Sequence, residues 1–427
     1  MSNELLNAIT ADDAAAVARV LDADPGLKAR LDEPLDGYSF GQTALMAAVH
    51  RGRRDTIDVL LRAGANVNQK SHWWAGPFHV LDSVPKESGL ASFLIERGAV
   101  PEIHHLVRLE MMDDVRRALD RDPAVVHARG GDGQLPLHFA QTVEMAGLLL
   151  ERGADVNARD IDHESTAAQY MVRDRQVVAK FLVSRGSDTD ILMASAFGDV
   201  DLARRLLDAN PEAIGTTVSE RWFAKKDPRA GGTIYTWTLG SHRGPHAIAH
   251  EFGHEEVFDV LMTRSPDALQ LSVACEMGDD ARVRRLLADR PDIVRRLPAD
   301  DVRKLADAAT NNNTAAVRLM LEAGWPVDAR GQHNATALHW AGFHGNAEMA
   351  RALIAHHAPV DTKGNDYDGT PLDWTIHGSL HGWHCRTGDY ATTAQLLLDA
   401  GAQAPSLTPA VAAAPAVLDV LRRRAAR

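Results

Sequence analysis

The segment His250-Glu251-Phe252-Gly253-His254 has the spacing H-E-x-x-H. On a continuous helix this spacing places two histidines one turn apart, where both bind zinc while the glutamate acts as a base. Such a short pattern has this meaning only if one helix runs through all five residues. The zinc chemistry therefore depends on the elements that surround the segment.

A second concentration of side chains that could do chemistry lies towards the C-terminus. It consists of His333, His339, His344, His377, His381, His384, Asp366, Asp368 and Asp389. Histidine and aspartate serve as general acids, bases and metal ligands. The sequence contains no phosphate loop, G-x-S-x-G, dinucleotide fingerprint or paired-cysteine metal motif beside them. These residues therefore identify no reaction, and we expect neither a metal nor a cofactor.

The elements that position these residues are predicted by a motif that recurs along the chain. One copy contains Thr43-Ala44-Leu45, Ala47-Ala48, Gly52, residues 57–61 and Gly64-Ala65-Asn66-Val67-Asn68, and related copies include residues 135–140, 153–157, 336–341 and 369–374. The closing glycines recur 33 or 34 residues apart, as from Gly64 to Gly98 and from Gly153 to Gly186. A unit of one turn and two short helices cannot bury its apolar face alone, so the copies must stack.

Other units end in a residue that stops the helix followed by proline, which cannot continue a helix. These ends are Asp24-Pro25, Asp122-Pro123, Asn210-Pro211, Ser265-Pro266 and Arg290-Pro291. Both kinds of unit resemble the ankyrin repeat, and together they give roughly a dozen repeats over nearly the whole chain. The resemblance implies an all-α ankyrin-repeat solenoid. The predominance of Arg over Lys and the abundance of Ala are typical of GC-rich bacterial genomes, so we expect a bacterial-type ankyrin-repeat protein.

The resemblance assigns roles to several histidines. Gly253-His254 matches the turn between the two helices of a repeat, so His250 and His254 would not share a helical face and we expect no zinc there. His339 matches the structural first-helix histidine, which bonds backbone groups. His344 matches an exposed first-helix position on the concave surface. His377, His381 and His384 match no consensus position, and they are either binding residues or ordinary solvated residues.

Tryptophans give another signal, because ankyrin arrays bind through first helices and through fingers, the loops that join successive repeats. Trp73, Trp74, Trp222, Trp237 and Trp383 fall in predicted fingers or insertions. Exposed aromatic residues are enriched as anchors at recognition surfaces. The alternative is that they pack the loops against neighbouring repeats. Trp340 and Trp374 occupy a consensus position that is expected to be buried.

The predicted domain organisation is one continuous array. It comprises an N-terminal capping repeat at 1–34, repeats at 35–214, an inserted β-hairpin at 215–243, repeats at 244–402 with a second insertion near 377–389, and a C-terminal cap at 403–427. The hairpin is predicted from the β-favouring runs 218–223 and 233–239, with Asp227-Pro228 and Gly231-Gly232 as turn residues. Deleting residues 217–241 is expected to leave a cooperative, helical protein. Pro85 is expected to interrupt a first helix in a degenerate repeat.

Composition excludes several classes of function. The 427 residues carry a formal net charge of -12, with 58 acidic and 46 basic residues, which argues against a general nucleic-acid binder. Cys275 and Cys385 are the only cysteines, so no disulfide framework is expected. The N-terminus lacks the pattern of a secretory signal, and no run of 18 apolar residues suggests a membrane span. We therefore expect a cytoplasmic protein.

The function expected from these features is recognition of a protein partner through the concave face and the insertions. An enzyme or a small-ligand receptor, with a pocket between the insertions and the concave face, is the alternative, and catalysis is left open. The predicted ligand-binding residues are His344, Tyr367, His377, His381, Trp383, His384, Tyr235 and Trp237. We expect the first six to converge on one patch.

Overall fold

The structure is a computed structural model that describes residues 3–36, 38–82, 84, 88–406 and 411–426. Pro85 and residues 407–410 of the predicted C-terminal cap lie outside the described residues. The chain forms two compact units, Met1–Gly244 and Pro245–Arg427. Among the described residues, no helix has the length and apolar character needed to cross a membrane.

The first unit is built from short α-helices. They are α1 (Asn3–Thr10), α2 (Ala14–Ala23), α3 (Pro25–Lys28), α4 (Ala44–His50), α5 (Arg54–Arg62), α6 (Leu90–Ile95), α7 (Ile103–Arg108), α8 (Met112–Arg121), α9 (Val143–Glu151), α10 (Ala167–Tyr170), α11 (Gln176–Ser184), α12 (Ile191–Phe197), α13 (Val200–Ala209) and α14 (Tyr235–Thr238). Consecutive helices pack in pairs, including α1 with α2, α4 with α5 and α12 with α13.

The recurring motif explains why each pair forms. Thr43 begins α4 by accepting a hydrogen bond from the backbone N–H of Met46 at 3.4 Å, and six successive residues of this helix are buried. Helix α5 is amphipathic and buries Thr56, Ile57 and Leu60. Because α4 is buried nearly all round, it requires neighbours on several sides, which only stacked repeats supply.

The second unit repeats this arrangement. Its helices are α15 (Pro245–Glu251), α16 (Glu255–Arg264), α17 (Asp267–Met277), α18 (Asp280–Asp289), α19 (Ala299–Val302), α20 (Lys304–Thr310), α21 (Thr314–Glu322), α22 (Ala337–His344), α23 (Ala347–Ala355), α24 (Pro371–His381), α25 (Tyr390–Asp399) and α26 (Pro415–Ala425). The first helices α20, α22 and α24 pack side by side, and α21, α23 and α25 form a second layer. A continuous core runs from Leu271 to Leu421 between the layers.

The predicted β-hairpin at 215–243 is wrong. No β-strand occurs among the described residues, which include the whole segment; it consists of turns and the one-turn helix α14. Val218 bonds the backbone at both His242 and Arg243, but this pairing only closes the base of the loop. Farther from this base, the backbone N–H of Gly231 donates to the carbonyl oxygen of Asp162 at 2.9 Å, so the loop bonds a residue outside the segment.

The reason for this error lies in what the β-favouring side chains contact. Val218, Ile234, Tyr235 and Leu239 are all buried, whereas a two-stranded hairpin on a surface would alternate buried and exposed residues. The β-propensity scale measures suitability for a packed surface as much as an intrinsic backbone preference. Here the same side chains pack as a loop against neighbouring repeats.

Candidate functional site

Six of the eight predicted ligand-binding residues lie on neighbouring elements of the second unit. His344 ends α22, His377 and His381 lie on α24, and Trp383 and His384 follow α24 directly. Tyr367 lies in the finger before α24. We call the surface formed by these six residues together with Trp340, Phe343 and Trp374 the aromatic patch.

Two features of the sequence place α22 and α24 in close contact. Thr370 caps α24 by accepting a hydrogen bond from the N–H of Asp373 at 3.1 Å, while the Asp373 carboxylate accepts from the N–H of Thr370 at 2.8 Å. Gly342 lies where α22 meets α24, and a Cβ there would lie 2.6 Å from the carbonyl oxygen of Pro371. The helices can therefore approach closely enough for their aromatic side chains to meet.

The rings form a connected network. Those of Trp340 and Trp374 meet edge to face with centroids 5.2 Å apart, and Tyr367 contacts Trp374 at 5.8 Å. Trp383 stacks on Trp340 at 5.9 Å, with an angle of 29° between the ring planes. Trp340 and Trp374 are buried, as expected, whereas Tyr367 is 67% exposed and Trp383 is 66% exposed. The patch thus has a buried base and two exposed aromatic residues.

The histidines of the patch have different environments. His377 and His381 are exposed and lie one turn apart on α24, with ring centroids separated by 4.8 Å. His384 is half-buried, and its ring centroid lies 5.1 Å from that of His344. Phe343 connects the two sides, since its ring contacts both His377 and Trp383. The geometry brings the six predicted residues together, and their role in binding stays a prediction.

The expected exposure of His344 is wrong. The side chain is 2% exposed, and its Nε2 donates a hydrogen bond to the carbonyl oxygen of Thr310 at 2.9 Å. Burial lowers the pKa of His344 to about 4. Thr310 ends the first helix of the preceding repeat, so His344 turns inwards to join two repeats instead of facing a ligand.

Two polar atoms in this region have no hydrogen-bond partner among the described residues. They are Nε1 of Trp340 and Nδ1 of His344, and both are buried. The rings of both residues contact Trp383. Since the Nε2 of His344 donates its proton to Thr310, Nδ1 is an acceptor, whereas Nε1 of Trp340 is a donor. The base of the patch therefore contains one unused donor and one unused acceptor.

The remaining two predicted residues belong to the first unit. Tyr235 is fully buried, and its hydroxyl donates to Oδ2 of Asp190 at 2.8 Å. This position suits a structural role rather than direct contact with a ligand. Trp237 is 75% exposed on α14.

The H-E-x-x-H segment does not lie on one helix. Helix α15 ends at Glu251, Gly253 has a left-handed φ of 74°, and α16 begins at Glu255. His250 and His254 therefore lie on opposite sides of a helix break, as the repeat motif predicts. The structural assignment of His339 also agrees, because its Nδ1 accepts from the N–H of Thr336 at 3.2 Å and its Nε2 bonds the carbonyl oxygen of Gly369 at 3.1 Å.

The sequence indicated His333 and Asp366 as residues that could do chemistry, but it did not place them beside the patch. Its Nδ1 lies 3.1 Å from Oδ2 of Asp366, and its ring contacts Tyr367. His333 and Asp366 are one repeat apart in the sequence. This spacing could have predicted their contact, because equivalent finger positions of adjacent repeats lie side by side.

A separate open cleft of about 530 Å³ lies in the first unit, where the first insertion meets a finger. Its lining residues are Arg159, Asp160, Ile161, Glu164, Lys226, Asp227 and Pro228. The carboxylate of Glu164 accepts hydrogen bonds from the backbone N–H groups of Lys226 and Asp227, each at 2.9 Å. The insertion is thereby attached to the finger.

Comparison with family models agrees with the repeat motif. A family model described as ankyrin repeats in three copies matches residues 271–367 and 305–406, and the single ankyrin-repeat model matches residues 40–72 and 132–161. A solved structure, the human ASB11 ankyrin repeat domain, is 17% identical and covers 72% of this chain and 100% of that chain, with a TM-score of 0.28.

Curated relatives match only short parts of the chain. Palmitoyltransferase Hip14 of Drosophila melanogaster is 29% identical over 106 residues, which is 25% of this chain. The serine/threonine-protein kinase VIK of Arabidopsis thaliana is 39% identical over 75 residues, or 17% of this chain. The chain spans 17% of the length of each of these relatives. The matched family models, the repeated motif and the stacked helix pairs together show that this chain is an ankyrin-repeat protein.

Proposed function

We propose that this chain is a binding module that recognises a protein partner, and that the partner docks on the aromatic patch. The observation that carries the proposal is the pairing of exposed with buried rings. Trp383 and Tyr367 are each about two-thirds exposed, yet each contacts a buried tryptophan. Aromatic residues held in place in this way bind at a low cost in conformational entropy, and such residues are enriched among interface hot spots.

The charge around the patch favours a partner with basic side chains. Residues 361–399 contain six aspartates but only one lysine and one arginine. Asp366, Asp368 and Asp373 are exposed beside the patch. An arginine or lysine of the partner would form an ion pair with one of these carboxylates. Its aliphatic chain or its cationic group would then contact the ring of Trp383.

The unused polar atoms at the base of the patch also support a protein partner. A peptide group offers both a carbonyl acceptor and an N–H donor. These complement Nε1 of Trp340 and Nδ1 of His344, which are otherwise buried at a free-energy cost.

An enzyme or small-ligand receptor is the second candidate, and the cleft of about 530 Å³ in the first unit is the observation that favours it. Lys226 and Arg159 beside Asp160 and Glu164 would suit a small polar molecule. The cleft is open, however, whereas pockets for small ligands usually surround most of the ligand. A metabolite-binding screen on the purified chain separates the two candidates.

We further propose a cytoplasmic location and a bacterial-type protein. Cys275 and Cys385 are both free thiols, and Cys385 is exposed, which suits a reducing compartment. The acidic composition supports the proposal that nucleic acid is not a partner.

The test is affinity capture with the full chain, followed by binding measurements with the purified captured protein. Trp383→Ala and Tyr367→Ala are expected to weaken binding by at least about tenfold, the loss typical of interface anchors. Trp237→Ala is the matched control, because Trp237 is similarly exposed but belongs to the other unit. If the two patch variants bind as tightly as the wild type, or if only Trp237→Ala weakens binding, the patch is not the docking site.

A further inference from the structure

Asp132, Asp162 and His163 form a cluster in the first unit that the sequence did not indicate. Asp132 lies in one finger, and Asp162 and His163 lie in the next. The backbone N–H groups of Ile161 and Asp162 both donate to the carbonyl oxygen of Asp132, at 3.0 and 3.1 Å, and so join the fingers. One possible ligand atom from each of Asp132, Asp162 and His163 lies within 4.8 Å of the other two.

The proton position on His163 follows from its hydrogen bond. Its Nδ1 lies 2.9 Å from the carbonyl oxygen of Gly232 in the first insertion. A carbonyl oxygen only accepts, so Nδ1 carries a proton. In the neutral ring, Nε2 then has a free lone pair. This nitrogen lies 3.6 Å from Oδ2 of Asp162, which also has only lone pairs.

The two carboxylates are poorly compensated. Asp162 is 6% exposed, and its Oδ1 accepts from the N–H of Gly231 at 3.1 Å, while its Oδ2 has no hydrogen bond from any described residue. Oδ1 of Asp132 accepts from Nε1 of Trp73 at 2.9 Å. Within the described part of the chain, no lysine or arginine forms an ion pair with either carboxylate.

We propose that Asp132, Asp162 and His163 bind a divalent ion of the first transition series. The ion would accept the lone pair of His163 Nε2 and neutralise the two carboxylates. A donor set of one imidazole and two carboxylates suits Zn²⁺ or Mn²⁺, whereas Mg²⁺ and Ca²⁺ prefer oxygen donors alone. Three protein ligands leave a coordination position for water.

The groups around the cluster match those that orient metal ligands. The Gly232 carbonyl fixes the ring of His163, and Trp73 and Gly231 each hold one oxygen of an aspartate. In metal sites, such outer hydrogen bonds set the tautomer and direction of the ligands. A bound ion would connect two fingers and the insertion, which departs from the sequence-based expectation of no metal.

A second cluster shows why the tautomer matters. One possible ligand atom from each of Asp82, His104 and His105 also lies within 4.8 Å of the other two. However, Nδ1 of His105 accepts a hydrogen bond from the backbone N–H of Glu102 at 2.9 Å, so the ring proton is on Nε2, which donates to Asp82 at 3.0 Å. The Nε2 lone pair that a metal requires is therefore absent, and His105 has the structural role of a first-helix histidine.

The experiment titrates the full chain, first treated with a chelator, with Zn²⁺, Mn²⁺ or Mg²⁺ alone in a calorimeter. We expect one Zn²⁺ or Mn²⁺ per chain and a higher melting temperature, with no comparable binding of Mg²⁺. Asp162→Asn and Asp132→Asn each keep Oδ1 as an acceptor but remove a charge, and each is expected to weaken binding by at least about tenfold. Asp366→Asn is the control, because Asp366 is an exposed carboxylate 3.1 Å from His333.

The proposal is overturned if the wild-type chain binds neither Zn²⁺ nor Mn²⁺ at one ion per chain. It is also overturned if both cluster variants bind normally, or if Asp366→Asn weakens binding as much as they do. If Asp162→Asn fails to fold, the metal affinity of Asp132→Asn decides the test. This variant retains an oxygen that can accept the hydrogen bond from Nε1 of Trp73.

Discussion

At the scale of single residues, we expect His344 to stabilise the fold and Trp383 to bind the partner, although their rings contact each other. His344→Ala is expected to lower the free energy of unfolding by about 2–4 kcal/mol, because it removes a buried ring and its hydrogen bond to Thr310. Trp383→Ala is expected to cost less than about 1 kcal/mol, since the side chain is mostly exposed. Urea denaturation followed by circular dichroism measures both. Equal losses would contradict this division of roles.

Buried histidines also make the stability depend on pH. Burial lowers the pKa of His339 and His344 to about 4 and that of His246 to about 3. The unfolded chain therefore takes up protons first as the pH falls below about 6.5, so stability is greatest above this pH and decreases towards pH 4. Each such residue costs about 2 kcal/mol at about pH 5.

The measurement is the melting temperature at about pH 7.5 and about pH 5, which is expected to be lower at the acidic pH. His344→Gln removes one titrating group and should reduce the difference between the two values. The exposed His381→Gln is the matched control. A melting temperature that rises on acidification would show that the histidines are not buried as described.

At the scale of elements, the aromatic patch depends on the close contact of α22 with α24. Gly342→Ala would place a Cβ 2.6 Å from both the Pro371 carbonyl oxygen and Oγ1 of Thr375. We expect a loss of about 1–3 kcal/mol in unfolding free energy and weaker partner binding, because the helices must separate. Gly147→Ala on α9 is the control: its Cβ would meet nothing nearer than 3.7 Å, and alanine favours a helix. Equal stability of both variants would argue against this contact.

Tyr235 is one of several residues through which the first insertion is attached to the array. Tyr235→Phe leaves the buried Asp190 carboxylate without its hydroxyl donor and is expected to cost about 1–3 kcal/mol. Deleting residues 217–241 is accordingly expected to lower stability, whereas the repeat pattern predicts only that the remaining protein is cooperative and helical. Trp237→Ala, on the exposed face of the same short helix, is the control. Thermal unfolding of the three variants distinguishes an attached loop from a dispensable one.

At the scale of the whole molecule, the net charge of -12 should influence how the partner associates. If the partner is basic, raising the salt concentration from about 50 mM to about 500 mM is expected to slow association, because salt screens the attraction between charges. Stopped-flow or surface-binding kinetics measure the rate. Trp383→Ala should mainly speed dissociation and leave the salt dependence unchanged. An association rate that is insensitive to salt would exclude a basic partner.

By itself, the sequence determined the repeat architecture, the helix break at Gly253 and the structural role of His339. These features depend on residues within one repeat or on equivalent residues one repeat apart, which periodic spacing reveals. It also placed the six patch residues together, because α22 and α24 are first helices of adjacent repeats.

Only the tertiary structure decided the burial of His344, the loop conformation of 215–243 and the cluster of Asp132, Asp162 and His163. His344 bonds the equivalent residue of the preceding repeat, but spacing does not decide whether its side chain turns towards that repeat or towards solvent. His163 bonds Gly232 at a separation of 69. The insertion interrupts the period, so spacing cannot place it on a particular finger. Which ring nitrogen carries the proton likewise depends on whether a distant backbone group donates or accepts. These properties arise from side-chain packing and from contacts between segments that periodic spacing does not relate.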